Sequence, residues 1–171
     1  RLVEGTRPIA TRPYRFNPLI QNQINEQIEE LQSAGIIQDS NSQWRSPYLL
    51  VKKKDNTQRF VVDFRPLNNF TERDDYPMPT TRSLLLNLAY KKATYHTAID
   101  LLAGYHQALL TPECRQYTAF KTALGPKEYV RIPFGLAGAP SAFSRIMAQA
   151  LRGLIPTICE SYLDDILCAD E

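Results

Sequence analysis

The pattern of apolar and polar positions divides the chain into alternating helices and strands. Between Asn17 and Gly35, apolar residues recur every three or four positions, which predicts an amphipathic helix. Asn17 suits the N-cap, Pro18 the first turn and Gly35 the end of this helix. The apolar stripe expected to face the core consists of Leu19, Ile20, Ile24, Ile28 and Leu31.

Two β-hairpins are predicted from runs rich in β-branched and aromatic residues. In the first, "YLLV" and "RFVVDF" flank the polar segment "KKKDNTQ" at 52–58. In the second, "YTAFKT" and "EYVRIPF" flank "ALGPK" at 123–127. A further strand, "ATYHTAID", ends at Asp100, and the strands "TICESYL" and "ILCA" stand on either side of two aspartates.

Two more helices complete the prediction. They cover "TTRSLLLNLAY" and "APSAFSRIMAQALRGL", and residues 1–16 are expected to form an extended arm. The second of these helices should turn Phe143, Ile146, Met147, Ala150 and Leu151 inward. Because hairpins and helices are mixed, we predict an α+β fold in which helices pack on antiparallel sheets.

Composition narrows the class of protein but does not identify a function. The 171 residues are 43% hydrophobic and 22% charged, as in a globular protein. The net charge of +2 does not by itself indicate nucleic-acid binding. The three cysteines lack a CxxC spacing, so we expect reduced thiols in an intracellular protein. No apolar run approaches the roughly 18 residues of a membrane span, and the start at Arg1 suggests a piece of a longer protein.

Asp164 and Asp165 are adjacent and lie between apolar segments. Asp is favoured in turns, and the spacing of "SYL-DD-ILC" predicts a two-residue hairpin turn at the two aspartates. Neighbouring carboxylates repel each other, and a hard divalent cation such as Mg²⁺ would offset that repulsion through oxygen ligands. The pair is therefore a candidate metal site, although an ordinary exposed turn can have the same residues.

Asp100 is the candidate for a third carboxylate, because it also ends an apolar strand. Three carboxylates at the ends of adjacent strands could hold two metal ions about 3.5–4 Å apart. Two ions at that separation stabilise the attacking and leaving oxygens of an in-line phosphoryl displacement. The pattern favours phosphoryl-transfer chemistry over a structural turn but leaves both open.

The order of the motifs resembles that of reverse transcriptases. "YLDD" at 162–165 resembles their YxDD motif, and "AIDLLAGYHQ" at 98–107 resembles the motif of their first catalytic aspartate. "VKKKDNTQRFVVDFRPLN" at 51–68 resembles the fingers hairpin, and "IPFGLAGAPSAFSRIM" at 132–147 resembles a palm motif. The resemblance covers essentially the whole chain and is closest to LTR retrotransposons of the gypsy kind and related pararetroviruses.

The resemblance implies a right-hand polymerase with fingers and palm. Residues 1–98 would form the N-terminal arm, the fingers and the start of the palm. Residues 99–171 would form the palm up to the YLDD hairpin, with the thumb and RNase H outside this sequence. The implied activity is RNA-directed DNA polymerisation, in which a primer 3′-hydroxyl attacks a deoxynucleoside triphosphate on an RNA or DNA template. A non-catalytic nucleic-acid-binding or assembly remnant of such a polymerase is the alternative.

The resemblance also assigns roles to individual residues. Asp100, Asp164 and Asp165 match the catalytic, metal-binding triad. The residues that match nucleotide-binding positions are Lys53, Arg59, Tyr105, Phe134 and Gly135, with Tyr105 as the steric gate against a 2′-hydroxyl. Tyr162 and Leu163 match positions beside the primer and template.

The implied cofactor is a pair of Mg²⁺ ions, with Mn²⁺ as a substitute. The implied partners are a primed RNA or DNA template, deoxynucleoside triphosphates and the remaining Pol polyprotein domains, with no membrane among them. The implied location is intracellular, in the cytoplasm or in virus-like particles.

Overall fold

The fold mixes short helices with antiparallel sheets. A computed structural model describes residues 1–12, 14–53, 56–91 and 93–170. In that part of the chain, the named strands form three sheets with the orders β1-β6-β5, β2-β3 and β4-β8-β7, and every strand pair within them is antiparallel. The predicted α+β class is confirmed. None of the described helices has the length and apolar character needed to cross a membrane.

The elements follow one another in an order close to the predicted one. The helices are α1 (Pro18–Ser33), α2 (Arg65–Asn68), α3 (Thr81–Tyr90), α4 (Gly104–Gln107), α5 (Pro112–Arg115) and α6 (Ala139–Ala150). The strands are β1 (Ile37–Asp39), β2 (Tyr48–Lys52), β3 (Gln58–Val62), β4 (Tyr95–Asp100), β5 (Phe120–Thr122), β6 (Gly125–Tyr129), β7 (Cys159–Tyr162) and β8 (Asp165–Asp170). The short β1 was not predicted, and Lys54 and Asp55 of the first hairpin loop lie outside the described residues.

The chain divides into two compact units. Unit 1 comprises Arg1–Glu72 and Leu109–Ala137, and unit 2 comprises Arg73–Ala108 and Gly138–Glu171. The chain therefore passes between the units three times. This division differs from the predicted boundary between residues 98 and 99, so the assignment of the fingers and the palm to particular segments remains a prediction.

Helix α1 forms one wall of the core of unit 1. The Asn17 side chain accepts a hydrogen bond from the backbone N–H of Ile20 at 2.9 Å, as the predicted N-cap requires. Ile24 and Ile28 are fully buried, but Leu19 is 77% exposed. The predicted stripe is therefore wrong at Leu19, which lies about 140° round the helix from Ile24.

Aromatic rings fill the rest of that core. Phe120 of β5 is fully buried. Its ring centroid lies 5.5 Å from that of Phe60, 5.7 Å from that of Tyr129 and 6.3 Å from that of Tyr48. Rings at these separations and tilts attract one another beyond the area they bury. The two hairpins of unit 1 are thus joined by side chains that only the folded chain brings together.

The turn of the second hairpin is three residues shorter than predicted. Thr122 pairs with Gly125, so only Ala123 and Leu124 form the turn. The Thr122 hydroxyl donates to the Gly125 carbonyl at 2.7 Å and accepts from the Leu124 N–H at 3.1 Å. Gly125 has a φ of 105°, which a residue with a Cβ rarely adopts. These contacts close the turn within what looked like a five-residue loop.

Helix α6 packs in unit 2 with a narrower buried face than predicted. Phe143 and Met147 are 2% and 7% exposed, which agrees with the predicted stripe. Ile146 is 42% exposed, and Ala150 is also exposed. Ile146 lies about 60° round the helix from the line of buried residues, at the edge of that face.

Replacing Ile28 by Ala should remove part of the core of unit 1. We expect the free energy of unfolding to fall by about 2–5 kcal/mol, because Ile28 is fully buried. Leu19→Ala on the same helix is the matched control and should change it by less than about 0.5 kcal/mol. Urea unfolding followed by circular dichroism measures both. Equal losses in the two variants would contradict this account of the core.

Candidate functional site

The register of β4 and β8 brings two predicted catalytic residues together. Asp100, the last residue of β4, is the direct cross-strand partner of Asp165, the first residue of β8. Directly opposed residues of an antiparallel pair project from the same face of the sheet. Tyr162 is the partner of Asp165 on the other side, in β7. One row across the sheet therefore contains Asp100, Asp165 and Tyr162.

The hairpin turn lies one residue earlier than predicted. Strand β7 ends at Tyr162 and β8 begins at Asp165, so Leu163 and Asp164 form the turn. Asp165 belongs to strand β8 and not to the turn, because it pairs with Asp100 of β4. Leu163 has a φ of 55°, an uncommon backbone conformation for a residue with a bulky side chain. Such strain persists only where the surrounding structure holds it.

Asp164 is held against the segment that follows β4. Its carbonyl accepts a hydrogen bond from the N–H of Leu101 at 3.0 Å. A Cβ on Gly104 would lie 3.0 Å from the Asp164 Cβ and 3.1 Å from Phe143 Cζ. Real Cβ atoms are rarely this close to their neighbours, so the contact needs a glycine. The sequence does not reveal this contact, because Gly104 and Asp164 are 60 positions apart.

Tyr105 lies next to this contact. Its ring is 5.2 Å from that of Phe143 in a T-shaped arrangement. Burial, and to a lesser extent the negative charge of Asp164, raise the pKa of the Tyr105 hydroxyl. The phenol therefore stays protonated at neutral pH beside a predicted metal ligand. Its role as a steric gate remains a prediction.

The carboxylates have the chemistry of a divalent-cation site. Asp100 and Asp165 are exposed at the ends of their strands, and carboxylate oxygens are ligands that Mg²⁺ accepts. In the described part of the chain, no group of three or more His, Cys, Asp or Glu side chains is arranged to hold a metal ion. Mg²⁺ usually binds through one or two carboxylates together with substrate phosphates. The donor set fits such an ion, and the three-ligand arrangement remains a prediction.

Three predicted nucleotide-binding residues lie near one another in unit 1. The Arg59 guanidinium lies over the Phe134 ring, 4.1 Å from its centroid. A cation at this distance is attracted by the ring, which limits the directions in which Arg59 can extend. Gly135 follows with a φ of 92°. Lys53 is exposed just after β2, and its N–H donates to the Thr57 carbonyl at 2.8 Å.

Two residues that the sequence did not single out hold this group in place. The Asn68 amide donates to the Gly135 carbonyl at 2.8 Å and accepts from the Ala137 N–H at 2.9 Å. The Gln27 side chain bonds the backbone of Gln58 and Phe60, on either side of Arg59. Neither contact is visible in the sequence, because each joins residues at least 31 positions apart.

Asp63 and Arg65 form a local ion pair in the same unit. Arg65 Nη2 lies 2.7 Å from Asp63 Oδ2, and Arg65 Nε lies 2.9 Å from Asp63 Oδ1. The hydrogen bonds from Arg65 lower the pKa of Asp63. The pair joins the end of β3 to the start of α2.

Unit 1 also contains a basic pocket that the sequence did not reveal. This pocket, of about 440 Å³, has Arg12, Arg45 and Lys121 in its lining and no acidic residue. Adjacent backbone segments bring the three cations together. The N–H of Thr11 donates to the Arg45 carbonyl at 2.9 Å, and that of Ser46 to the Ala119 carbonyl at 2.9 Å.

No local sequence pattern predicts this basic pocket, because its three cations are spread from position 12 to position 121. Within the part of the chain that the structure describes, none of the three forms an ion pair with a carboxylate. The side chains of Tyr14, Tyr48 and Gln21 add aromatic and amide groups to the lining. The result is an open, positively charged cavity with an aromatic edge.

Comparison with known proteins supports the resemblance seen in the motifs. The profile of the family described as "Reverse transcriptase (RNA-dependent DNA polymerase)" matches residues 51–171. The "Retrovirus-related Pol polyprotein from transposon 297" of Drosophila melanogaster is 39% identical over 94% of this chain and 15% of its own length. The "Enzymatic polyprotein" of cauliflower mosaic virus (strain Strasbourg) is 33% identical over 98% of this chain and 25% of its own length. The chain thus spans a quarter or less of these relatives.

Solved structures show the same fold. The foamy viral protease-reverse transcriptase in complex with an RNA/DNA hybrid has a TM-score of 0.84 and 26% identity, over 99% of this chain and 22% of that chain. The same kind of enzyme in complex with double-stranded DNA has a TM-score of 0.84 and 25% identity, over 99% and 30% of the respective chains. Those proteins bind nucleic-acid duplexes, and the predicted fold is confirmed.

Gly104→Ala should disturb the predicted catalytic hairpin. The added methyl group would meet Asp164 and Phe143, so we expect a loss of about 1–3 kcal/mol in the free energy of unfolding. Chemical shifts of Asp164 and the Phe143 ring should change as well. Gly138→Ala is the matched control, because a Cβ there meets no atom within 4 Å. Unfolding curves and NMR spectra test this, and unchanged Asp164 shifts would contradict it.

Proposed function

The chain belongs to the reverse transcriptase family, and we propose that it supplies the nucleotide-transfer site of an RNA-directed DNA polymerase. The observation that carries the proposal is the register that sets Asp100 opposite Asp165, with Asp164 in the adjoining turn. Two exposed carboxylates on one sheet face are unfavourable without a cation between or near them. A polymerase site needs such an arrangement, whereas a purely structural sheet does not.

The carboxylates of Asp100, Asp164 and Asp165 would hold the divalent cations that this family uses. We propose two Mg²⁺ ions, which would supply Lewis-acid stabilisation of the charge that develops during phosphoryl transfer. The three carboxylates are fixed in position, because Asp100 and Asp165 lie in a paired sheet and Asp164 lies in a constrained turn. Asp100 and Asp164 would be the principal ligands, with Asp165 a more peripheral one.

Lys53 and Arg59 would bind the triphosphate of the incoming deoxynucleotide. Arg59 presents a planar set of donors that suits phosphate oxygens, and its contact with Phe134 and the Gln27 bonds beside it limit its motion. Gly135, held by Asn68, would let the backbone approach the nucleotide closely.

Tyr105 would select deoxynucleotides by crowding a 2′-hydroxyl. The ring is supported by Phe143 and therefore cannot easily move aside. Tyr162 and Leu163 lie in and beside the turn that carries Asp164, and we place them next to the primer end. A rigid gate discriminates better than a mobile one, because the larger sugar then cannot push it away.

The primed template would be bound mainly through its phosphates. The basic pocket of unit 1 offers three cations and an exposed tyrosine to a nucleic-acid strand. Grooves that combine positive charge with aromatic rings bind single strands with little sequence preference. We therefore propose that the basic pocket contributes to binding a single-stranded stretch of the template.

Asp164→Asn should abolish nucleotide incorporation. The test is extension of a DNA primer annealed to an RNA template, with deoxynucleoside triphosphates and Mg²⁺, using both this chain and a longer Pol polypeptide that contains it. We expect the variant to lose roughly two orders of magnitude or more in rate, because a proposed metal ligand becomes neutral. A chelator should have the same effect on the unmodified protein.

Asp75→Asn is the matched control, since Asp75 is an exposed carboxylate in the same unit. It should leave extension unchanged. If the longer polypeptide binds the primed template but does not extend it, the chain is a binding module and the catalytic proposal is wrong. If Asp164→Asn extends at the normal rate, the assignment of the metal ligands is wrong.

Arg45→Gln or Lys121→Gln should weaken nucleic-acid binding. Each removed phosphate contact should reduce the slope of log affinity against log salt by about 0.7 for a single strand. Fluorescence anisotropy with a labelled single-stranded oligonucleotide at several salt concentrations measures this slope. Arg7→Gln is the control, because Arg7 is an exposed arginine of the N-terminal arm and does not line the basic pocket. If Arg45→Gln and Lys121→Gln both have the same slope as the unmodified chain, the basic pocket does not bind nucleic acid.

A further inference from the structure

Two cysteines lie directly opposite each other in the hairpin that carries the YLDD turn. Cys159 of β7 is the cross-strand partner of Cys168 of β8. The N–H of Ala169 donates to the Ile158 carbonyl at 3.2 Å, which makes the adjacent pair hydrogen-bonded. Since hydrogen-bonded and non-hydrogen-bonded pairs alternate, Cys159 and Cys168 form a non-hydrogen-bonded pair.

This pairing places the two thiols within bonding reach. Residues in a non-hydrogen-bonded antiparallel pair have Cα atoms about 4.5 Å apart, and their side chains are on the same face. Disulfides span Cα separations of about 4.4–6.8 Å. The pair therefore lies at the short end of the permitted range, where a bond can form with some strain. A strained disulfide is more easily reduced than a relaxed one.

Solvent reaches the pair from one side. Cys159 is 3% exposed, but Cys168 is half-buried and lines a groove of about 460 Å³ between α3 and the sheet. Thr97, the partner of Cys168 on β4, lines the same groove. A small oxidant can therefore reach Cys168, while Cys159 lies behind it.

We propose that Cys159 and Cys168 form a reversible disulfide that responds to peroxide and controls the catalytic hairpin. In the first step, the Cys168 sulfur attacks hydrogen peroxide, which gives a sulfenic acid on Cys168 and one water. In the second step, the Cys159 sulfur attacks the sulfenic sulfur, forms the S–S bond and releases a second water. Overall, two thiols lose two electrons and two protons to one peroxide. A dithiol reductant reverses the reaction.

The surroundings fit this order of events. Burial is the main effect that raises the pKa of the Cys159 thiol, which disfavours it as the first nucleophile. The positive charge of Lys91 acts in the opposite direction. The Lys91 Nζ is buried and has no hydrogen-bond partner among the described residues. It can therefore stabilise the Cys159 thiolate at the moment when that thiolate attacks.

The disulfide would alter the geometry of the metal ligands. This part of the inference rests on the proposed polymerase function. The bond would join Cys159, six positions before Asp165, to Cys168, three positions after it. It would therefore fix the twist of β7 and β8. A displacement of about 1 Å at a catalytic group can cost about 10²-fold in rate. Oxidation should therefore slow nucleotide incorporation.

Thiol mapping by mass spectrometry tests the bond itself, independently of activity. The chain is treated with hydrogen peroxide, the remaining thiols are alkylated, and the protein is digested with trypsin. Residues 153–171 contain no Lys or Arg, so both cysteines stay in one peptide. We expect that peptide to escape alkylation and to lose the mass of two hydrogen atoms, and dithiothreitol should restore both thiols.

Cys114 provides the internal control, because it is exposed and has no cysteine partner among the described residues. It should remain alkylated or become oxidised alone. Cys159→Ser and Cys168→Ser should each abolish the two-hydrogen loss. If Cys159 and Cys168 are still alkylated at a peroxide concentration that oxidises Cys114, the proposal is wrong.

Primer extension by the longer polypeptide tests the control of the hairpin. Peroxide should reduce the rate roughly ten-fold or more in a Cys114→Ser background, and dithiothreitol should restore it. Cys168→Ser in the same background should extend normally and resist peroxide. A disulfide that forms without changing the rate would overturn the regulatory part. A reduced protein that never extends would contradict the polymerase proposal instead, and the thiol mapping would still decide whether the bond forms.

Discussion

The pairing of β4 with β8 is the constraint on which the candidate site depends. It places two carboxylates opposite each other at the end of a six-residue ladder, although like charges in that position repel. The other five pairs of the ladder hold the register against this repulsion, because a slip of one residue would turn every side chain to the wrong face. The negative charge at this end of the two strands is thus maintained by the other pairs of the same ladder.

The turn between β7 and β8 is set by a second pairing of Asp165. Because Asp165 also pairs with Tyr162 of β7, only two residues reverse the chain, and Leu163 has a positive φ. Asp164 then packs against Gly104, which has no side chain to come between them. Tyr105 follows immediately and rests on Phe143. Tyr105, the turn and Asp164 consequently pack together, and a change in one would alter the others.

Periodicity and turn chemistry predicted the larger elements from local information. Helix α1 and its Asn17 cap, and the hairpin of β2 and β3, follow from residues close in sequence. The three-residue β1 was missed, because "IQD" is too short to show alternation. Leu19 and Ile146 are apolar enough to be buried. Which face of each helix is buried, however, is decided by the elements that pack against it.

The candidate site was predictable to the extent that its residues form contiguous motifs. The aspartates, Arg59 and Tyr105 lie in recognisable stretches of sequence, and the contact of Arg59 with Phe134 joins two residues of different motifs. The exact turn was not predicted, since the aspartates favour a turn at both positions whereas Asp165 pairs with Tyr162 and with Asp100 in the sheet. Asn68, Gln27 and the cations of the basic pocket act across long separations, which no local pattern records.

The interleaving of the two units has a consequence for synthesis on the ribosome. The aromatic core of unit 1 is completed by Phe120 and Tyr129, which emerge after all of Arg73–Ala108. That intervening segment must therefore wait outside the tunnel without its strand partner, because β4 pairs with β8, and β8 emerges after the other strands described above. With translation at about 5–20 residues per second, β4 stays unpaired for several seconds. During that interval its two free edges are open to other chains, and a chaperone would act most usefully there.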